Sequence, residues 1–362
     1  MAKELSWERL HSGPSWSAVE DCDRQSYGLA GCLSALCLVA AGKVPAEVLK
    51  ELDLVALMGE AQLQGIANAC IACLETHCPP HLLQPPRQEG TSKKPVKQRR
   101  LGEPETGAAS TAAASSGNVP IVPSPSLQTL FMKYMVPGRP VVLTGVIDAW
   151  PARSNRSWSD PEYLRSVAGH RMVPVEVGGS YTGEGWQQRL MPLSEFLDDF
   201  LTGEGEGYLA QHQLFDQVPA LRRDILVPDY CSMLLEDEED DPQASEVAVN
   251  AWLGPAGTVS PCHHDPYHNL LAQVVGSKRV VLVDPVHSKR MYPHSGRMSN
   301  TSQVDVGNPD LSVHPEFAGT PQMSILLRAG EVLYIPPTWW HYIQSLEVSF
   351  SVSFWWGKRR GG

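Results

Sequence analysis

What this 362-residue sequence lacks narrows it first. No apolar run approaches the roughly 20 residues that a bilayer-spanning helix requires. The longest, Leu29 to Ala41, is interrupted by Gly31 and Ser34, so no membrane anchor is expected. The opening Met-Ala-Lys-Glu-Leu-Ser-Trp-Glu carries acids where a secretory leader needs an apolar core, and no leader is expected. Basic residues are in deficit: 29 Lys and Arg against 40 Asp and Glu leave a net charge of −11. A surface built to grip nucleic acid would reverse that balance, so no sequence-specific nucleic-acid binding is expected. Eight cysteines are too few for a disulfide scaffold in a chain of this length. Without a leader they are expected to be thiols, in the nucleus or the cytoplasm. No internal repeat stands out.

What is there suggests about two domains, by length alone. At 42% hydrophobic and 19% charged residues, the chain can bury a core. Its texture divides into a helical region over 1–81, a linker over 82–120 and a β-rich region over 121–362. Net charge differs between the three: −5, +3 and −9. In the first, Val48, Leu49, Leu52, Val55 and Ala56 recur at helical spacing. Leu29 to Ala41 is apolar almost all round and is expected to be a buried helix. Six cysteines fall here, at 22, 32, 37, 70, 73 and 78. Cys70-x-x-Cys73 could be half a zinc site or a redox pair. No second pair follows at finger spacing, and small core residues are the favoured reading. The linker holds Pro85-Pro86, a basic run from Lys93 to Arg100, and Ala, Ser, Thr and Gly almost exclusively from Thr106 to Gly117. That composition predicts a flexible segment, with the basic run read as a nuclear-import signal.

From Val119 onward, short β-branched runs are punctuated by Gly and Pro, which predicts a β-sandwich or barrel. Val348, Phe350, Val352 and Phe354 alternate with Ser349, Ser351 and Ser353. The acidic run Glu236 to Asp241 is read as a solvated loop. The informative stretch runs from Thr258 to Lys278. On an extended chain His263 and Asp265 share one face and His264 takes the other. An imidazole and a carboxylate side by side supply two corners of a two-His, one-carboxylate metal site. The tripeptide alone proves little, because His314-Pro-Glu316 also matches. That other copy lies in a Pro- and Gly-rich stretch without a strand pattern. A third ligand must come from far along the chain. His341, after Pro336-Pro337-Thr338-Trp339-Trp340, is as good a core histidine as a ligand on residue chemistry alone.

His263-x-Asp265, Pro336-x-x-Trp339-Trp340-His341 and Lys278 after Val274-Val275-Gly276-Ser277 resemble the JmjC-domain Fe(II)- and 2-oxoglutarate-dependent oxygenases. So do Gly207–Phe215, Asn250–Pro255, Ser302–Val306 and Ser351–Trp356. The resemblance covers about residues 120–357. It implies a mainly β fold, a double-stranded β-helix of jelly-roll or cupin-like form with flanking helices, after a small α-helical domain. It implies His263, Asp265 and His341 as ligands of Fe(II), with 2-oxoglutarate and O2 as cosubstrates. Lys278 would pair with the distal carboxylate of 2-oxoglutarate, although from residues alone it reads as solvent-facing in a Gly-Ser turn. Tyr208, Ser260 and Asn269 would add hydrogen bonds to the cosubstrate, and Trp355 would line the same pocket. Glu176, Tyr181, Trp186 and Gln211 would line the substrate cleft, where a carboxylate, an amide and aromatic faces suit a guanidinium. The activity implied is C3 hydroxylation of arginine side chains in proteins, with succinate and CO2 released. Partners would be arginine-bearing proteins or peptides, among them histones or other nuclear proteins. N-methyl-lysine demethylation by the same oxygen chemistry, or a non-catalytic chromatin adaptor, are the alternatives.

Overall fold

The computed structural model describes residues 2–11, 19–83, 116–117, 119–178, 185–201, 207–236, 238 and 243–357. The basic run at 93–100, most of the expected linker and Tyr181 lie outside them. The described residues fall into two compact units. No helix among them is long and apolar enough to cross a membrane.

The first unit is helical: α1 (Ala2–His11), α2 (Asp21–Ala40), α3 (Pro45–Met58) and α4 (Ala61–His77). Pro45 opens α3, where its missing N–H costs nothing. The Gly59 N–H closes the same helix on the Val55 carbonyl. Val48, Leu49, Leu52 and Val55 pack against Leu63, Ala67 and Ile71 of α4. This is the apolar stripe that the helical spacing predicts. The expectation for Leu29–Ala41 is overturned. α2 buries its small side, Gly28, Gly31 and Ala35, together with Tyr27, while Leu29, Leu33, Leu36 and Val39 are exposed. A side chain at Gly31 would strike Val55, and one at Gly28 would strike Leu63. Close helix approach therefore selects the glycine face and turns the leucines outward. The cysteine expectation also fails. Cys22, Cys37, Cys70 and Cys73 are exposed, and only Cys32 and Cys78 pack, half-buried, on the core.

Leu164–Val173 and Leu190–Glu195 belong to this helical unit. Arg171 binds Asp53 through Nη2 at 2.7 Å and Nε at 3.0 Å, with both side chains out of water. Asp53 also accepts the Met172 N–H, and Glu75 accepts from Arg171 Nη1 at 3.1 Å.

The strands form two sheets. The smaller runs in the order Ser116–Gly117, Gln322–Arg328, Ser277–Val283, Trp340–Ser345, Val259–His263. The larger runs Ile121–Pro123, Val141–Thr144, Glu331–Ile335, His268–Val275, Ser349–Trp356, Ala248–Gly254, Gly207–His212, Met172–Val177, Gln187–Pro192. Successive core strands pair antiparallel. This is the cupin-like jelly roll. Ser349–Trp356 sits inside the larger sheet, and its serines are as buried as its aromatic residues. Burying those hydroxyls is tolerable because they are bonded. Ser351 donates to Gln273, and Trp252 donates to the Ser353 oxygen.

Candidate metal and cosubstrate site

Two paired strands of the smaller sheet meet at one end of the roll, and the metal-ligand candidates lie there. His263 closes the Val259–His263 strand and stands in register with His341 on Trp340–Ser345. Asp265 follows on the turn leading into His268–Val275. The Thr338 N–H donates to the Asp265 carbonyl at 2.7 Å, tying that turn to the segment that carries His341. The long sequence gap between Asp265 and His341 is thus closed by backbone pairing.

His263 Nε2 and His341 Nε2 lie 3.7 and 3.6 Å from Asp265 Oδ2. Ligand atoms of the three residues lie within 4.8 Å of one another. Among the described residues no other group of three forms such a cluster. Both Nδ1 atoms bond backbone carbonyls, His263 to Pro261 at 2.7 Å and His341 to Trp339 at 2.9 Å. An N–H held there leaves each Nε2 with a free lone pair, the tautomer that a metal needs. Burial and the neighbouring His263 lower the His341 pKa, which keeps its ring neutral. Asp265 Oδ2 is buried without a hydrogen-bond partner. A buried orphan carboxylate oxygen facing two imidazole lone pairs fits a divalent cation. His264 turns away, its ring edge-on to Trp340 at 4.6 Å.

Lys278 is buried, against the solvent-facing reading that its residues alone suggest. The Gly276 turn starts a strand whose alternation turns Lys278 inward. Its Nζ donates to the Tyr208 hydroxyl at 3.3 Å and lies 5.5 Å from that ring's centre. No described carboxylate pairs with it, and burial pushes its pKa down to about 7. Tyr208, whose own pKa is raised by burial, also hydrogen-bonds Ser260. Asn269 and Trp355 face each other in register, and Asn269 Oδ1 and Trp355 Nε1 are both buried without partners. An unpaired buried cation beside unused polar atoms is costly unless an anion with hydrogen-bonding oxygens enters.

A cleft of about 1020 Å³ opens onto His263 and Asp265. Tyr208, Ser260 and Trp355 line it, as do Glu176, Trp186 and Gln211. Burial raises the Glu176 pKa, partly offset by a hydrogen bond from Trp186. Gln211 is held at φ +47°, a conformation that side chains other than glycine rarely adopt. Sequence reasoning missed Trp252 and Tyr267, which also line the cleft. The Tyr267 ring stacks on Trp355 at 5.8 Å. The solvated-loop reading of the acidic run fails at Glu238, which is buried against His268.

Comparison with known proteins agrees with this geometry. A family model described as a cupin-like domain matches residues 127–361. Another, described as KDM8-like N-terminal ARM repeats, matches residues 1–80. Lysine-specific demethylase 8 of Danio rerio is 42% identical, over 98% of this chain and 85% of the relative. Jumonji C domain-containing protein 5 of Drosophila melanogaster is 38% identical, over 98% of this chain and 84% of the relative. The human bifunctional peptidase and (3S)-lysyl hydroxylase JMJD7 is 29% identical, over 66% of this chain and 83% of the relative.

Proposed function

We propose, for a chain that belongs to the cupin-like JmjC family of Fe(II)- and 2-oxoglutarate-dependent oxygenases, that it oxidises a basic side chain of a protein substrate. The observation that carries this reading is the cluster of half-buried His263 and Asp265 with buried His341, beside Lys278, a buried amine without an acidic partner. His263, Asp265 and His341 would hold Fe(II), which with 2-oxoglutarate and O2 supplies the oxidising power for an unactivated C–H bond. Lys278 and the Tyr208 hydroxyl would fix the distal carboxylate of 2-oxoglutarate, with Ser260 and Asn269 completing its hydrogen bonds and Trp355 closing one side. The neutral His341 ring and the hydrogen bonds behind both imidazoles would hold the ligand atoms in place. Glu176, Trp186 and Gln211, with Tyr181, would receive the basic side chain.

The relatives' names support demethylation of N-methyl-lysine as the first chemistry. Aromatic walls at Trp186, Trp252 and Tyr267 suit a methylated ammonium. Hydroxylation of arginine is the alternative, supported by the Glu176 carboxylate and the Gln211 amide on that cleft. Histones are the substrate class that the demethylase reading brings, with action in the nucleus. The test is turnover of arginine and N-methyl-lysine peptides with Fe(II), ascorbate and 2-oxoglutarate, read by mass spectrometry. Loss of a methyl group from lysine supports demethylation, and gain of one oxygen on arginine supports hydroxylation. No succinate with any peptide, together with metal retained in Asp265→Ala, would leave the adaptor reading.

A further inference from the structure

The acidic run hides one buried acid, and its place behind the site is informative. Glu238 and His268 are both removed from solvent. His268 Nε2 lies 3.1 and 3.2 Å from the two Glu238 oxygens, and His268 Nδ1 lies 2.7 Å from the Tyr334 hydroxyl. One neutral tautomer satisfies both ends, with Tyr334 O–H donating to Nδ1 and Nε2–H donating to Glu238. Glu238 also accepts the Leu235 N–H at 3.0 Å. The Trp356 ring stacks on His268 at 5.3 Å, and Trp356 Nε1 donates to the Met233 carbonyl. Gly357, at φ +56°, leaves room for the pair, since a Cβ there would lie 2.8 Å from Glu238 Oε2.

Strand register connects this cluster to the site. His268 pairs with Trp356, and the next pair along is Asn269 with Trp355. Neighbours on a strand face opposite ways, so the His268 pair lies behind the sheet and the Asn269 pair faces the cosubstrate side. Asn269 also pairs with Ile335, the residue after Tyr334. A shift behind the sheet is therefore passed to the Asn269 and Trp355 polar atoms that have no protein partner.

We propose that Glu238 and His268, with Tyr334, are positioning residues that set Asn269 and Trp355 for 2-oxoglutarate. The proposal rests on the cosubstrate reading above. The pair touches none of the metal ligands, so its loss weakens 2-oxoglutarate binding while leaving metal affinity in place.

The experiment is calorimetric binding of 2-oxoglutarate to the 362-residue protein loaded with Mn(II), with Mn(II) affinity and thermal unfolding measured alongside. Glu238→Ala is expected to weaken 2-oxoglutarate binding about tenfold, the scale of losing an outer hydrogen-bond partner at a metal site. Glu238→Gln, which keeps an oxygen for His268 and Leu235, is expected to restore it. Should Glu238→Ala not fold, Tyr334→Phe removes a single hydroxyl and is expected to weaken binding in the same direction. Unchanged 2-oxoglutarate affinity in Glu238→Ala, or in Tyr334→Phe where the alanine variant does not fold, overturns the proposal. Equal loss of Mn(II) affinity, or failure of Glu238→Gln to rescue, does so as well. Wild-type protein that binds Mn(II) but no 2-oxoglutarate overturns the cosubstrate reading itself, and this inference with it.

Discussion

Lys278 Nζ lies 3.3 Å from the Tyr208 hydroxyl, 70 positions earlier in the chain, and no described carboxylate pairs with it. In the ligand-free protein this lysine has a pKa of about 7, below its ordinary 10.5. The unfolded chain then binds the extra proton between those values, so stability rises with pH from about 7 towards 10.5. An entering dicarboxylate restores the charge. Binding of 2-oxoglutarate at about pH 8.5 should take up close to one proton, and at about pH 6 none. Calorimetry in buffers of different ionisation enthalpy measures this directly. Lys278→Met should stabilise the ligand-free protein and cost 2-oxoglutarate binding roughly 3–5 kcal/mol, the scale of breaking a buried pair.

Asp265→Ala should release the metal more completely than the roughly tenfold to hundredfold effect of an outer-shell change. Its buried oxygen has no hydrogen-bond partner in the protein, so thermal stability without metal should not fall. His264→Ala should keep the metal, since that ring faces Trp340. Co(II) titration followed by visible absorption distinguishes the two variants. Metal loss in His264→Ala would reverse the register assigned to this strand.

Asp53→Ala should destabilise the helical unit by roughly 3–5 kcal/mol, because it strands the buried Arg171 guanidinium. Asp53→Leu with Arg171→Met should recover much of that loss. Glu75 adds a pH dependence of known sign. Burial raises its pKa, but His170 and Arg171 outweigh that and hold it below 4.5. Its contribution is present above that value and lost as pH falls through the lower folded one. Chemical denaturation between pH 3 and 6 checks both statements.

Gly276→Ala should damage stability and cosubstrate binding together. Gly276 turns at φ +72°, and a Cβ there would collide with the Val348 carbonyl oxygen. A strained turn moves the start of the strand that carries Lys278. The expected loss is about 1–3 kcal/mol in unfolding, with weaker 2-oxoglutarate binding by calorimetry.

Much of the fold was legible in the residues, since short punctuated strands predicted a sandwich or barrel. Extended-chain alternation singled out His263 and Asp265, but the strand ends at His263 and Asp265 follows on the turn. The armadillo-type match over 1–80 was not legible as a repeat. Such units run about 40–47 residues, so 80 residues hold too few copies for self-similarity to stand out. Lys278 read as exposed from its turn, because local sequence carries no information about what covers a strand. Glu238 read as solvated for the same reason.

The sequence by itself determined the periodicities: which residues share a strand face, which helix stripe is apolar and where the turns fall. Those follow from backbone geometry, which is local. Only the tertiary structure decided that His341 joins Asp265, that α2 buries glycines and exposes leucines, and that Lys278 and Glu238 leave water. Burial and pairing are set by distant strands and helices, and the cost of desolvating a charge is decided by what those elements bring to it.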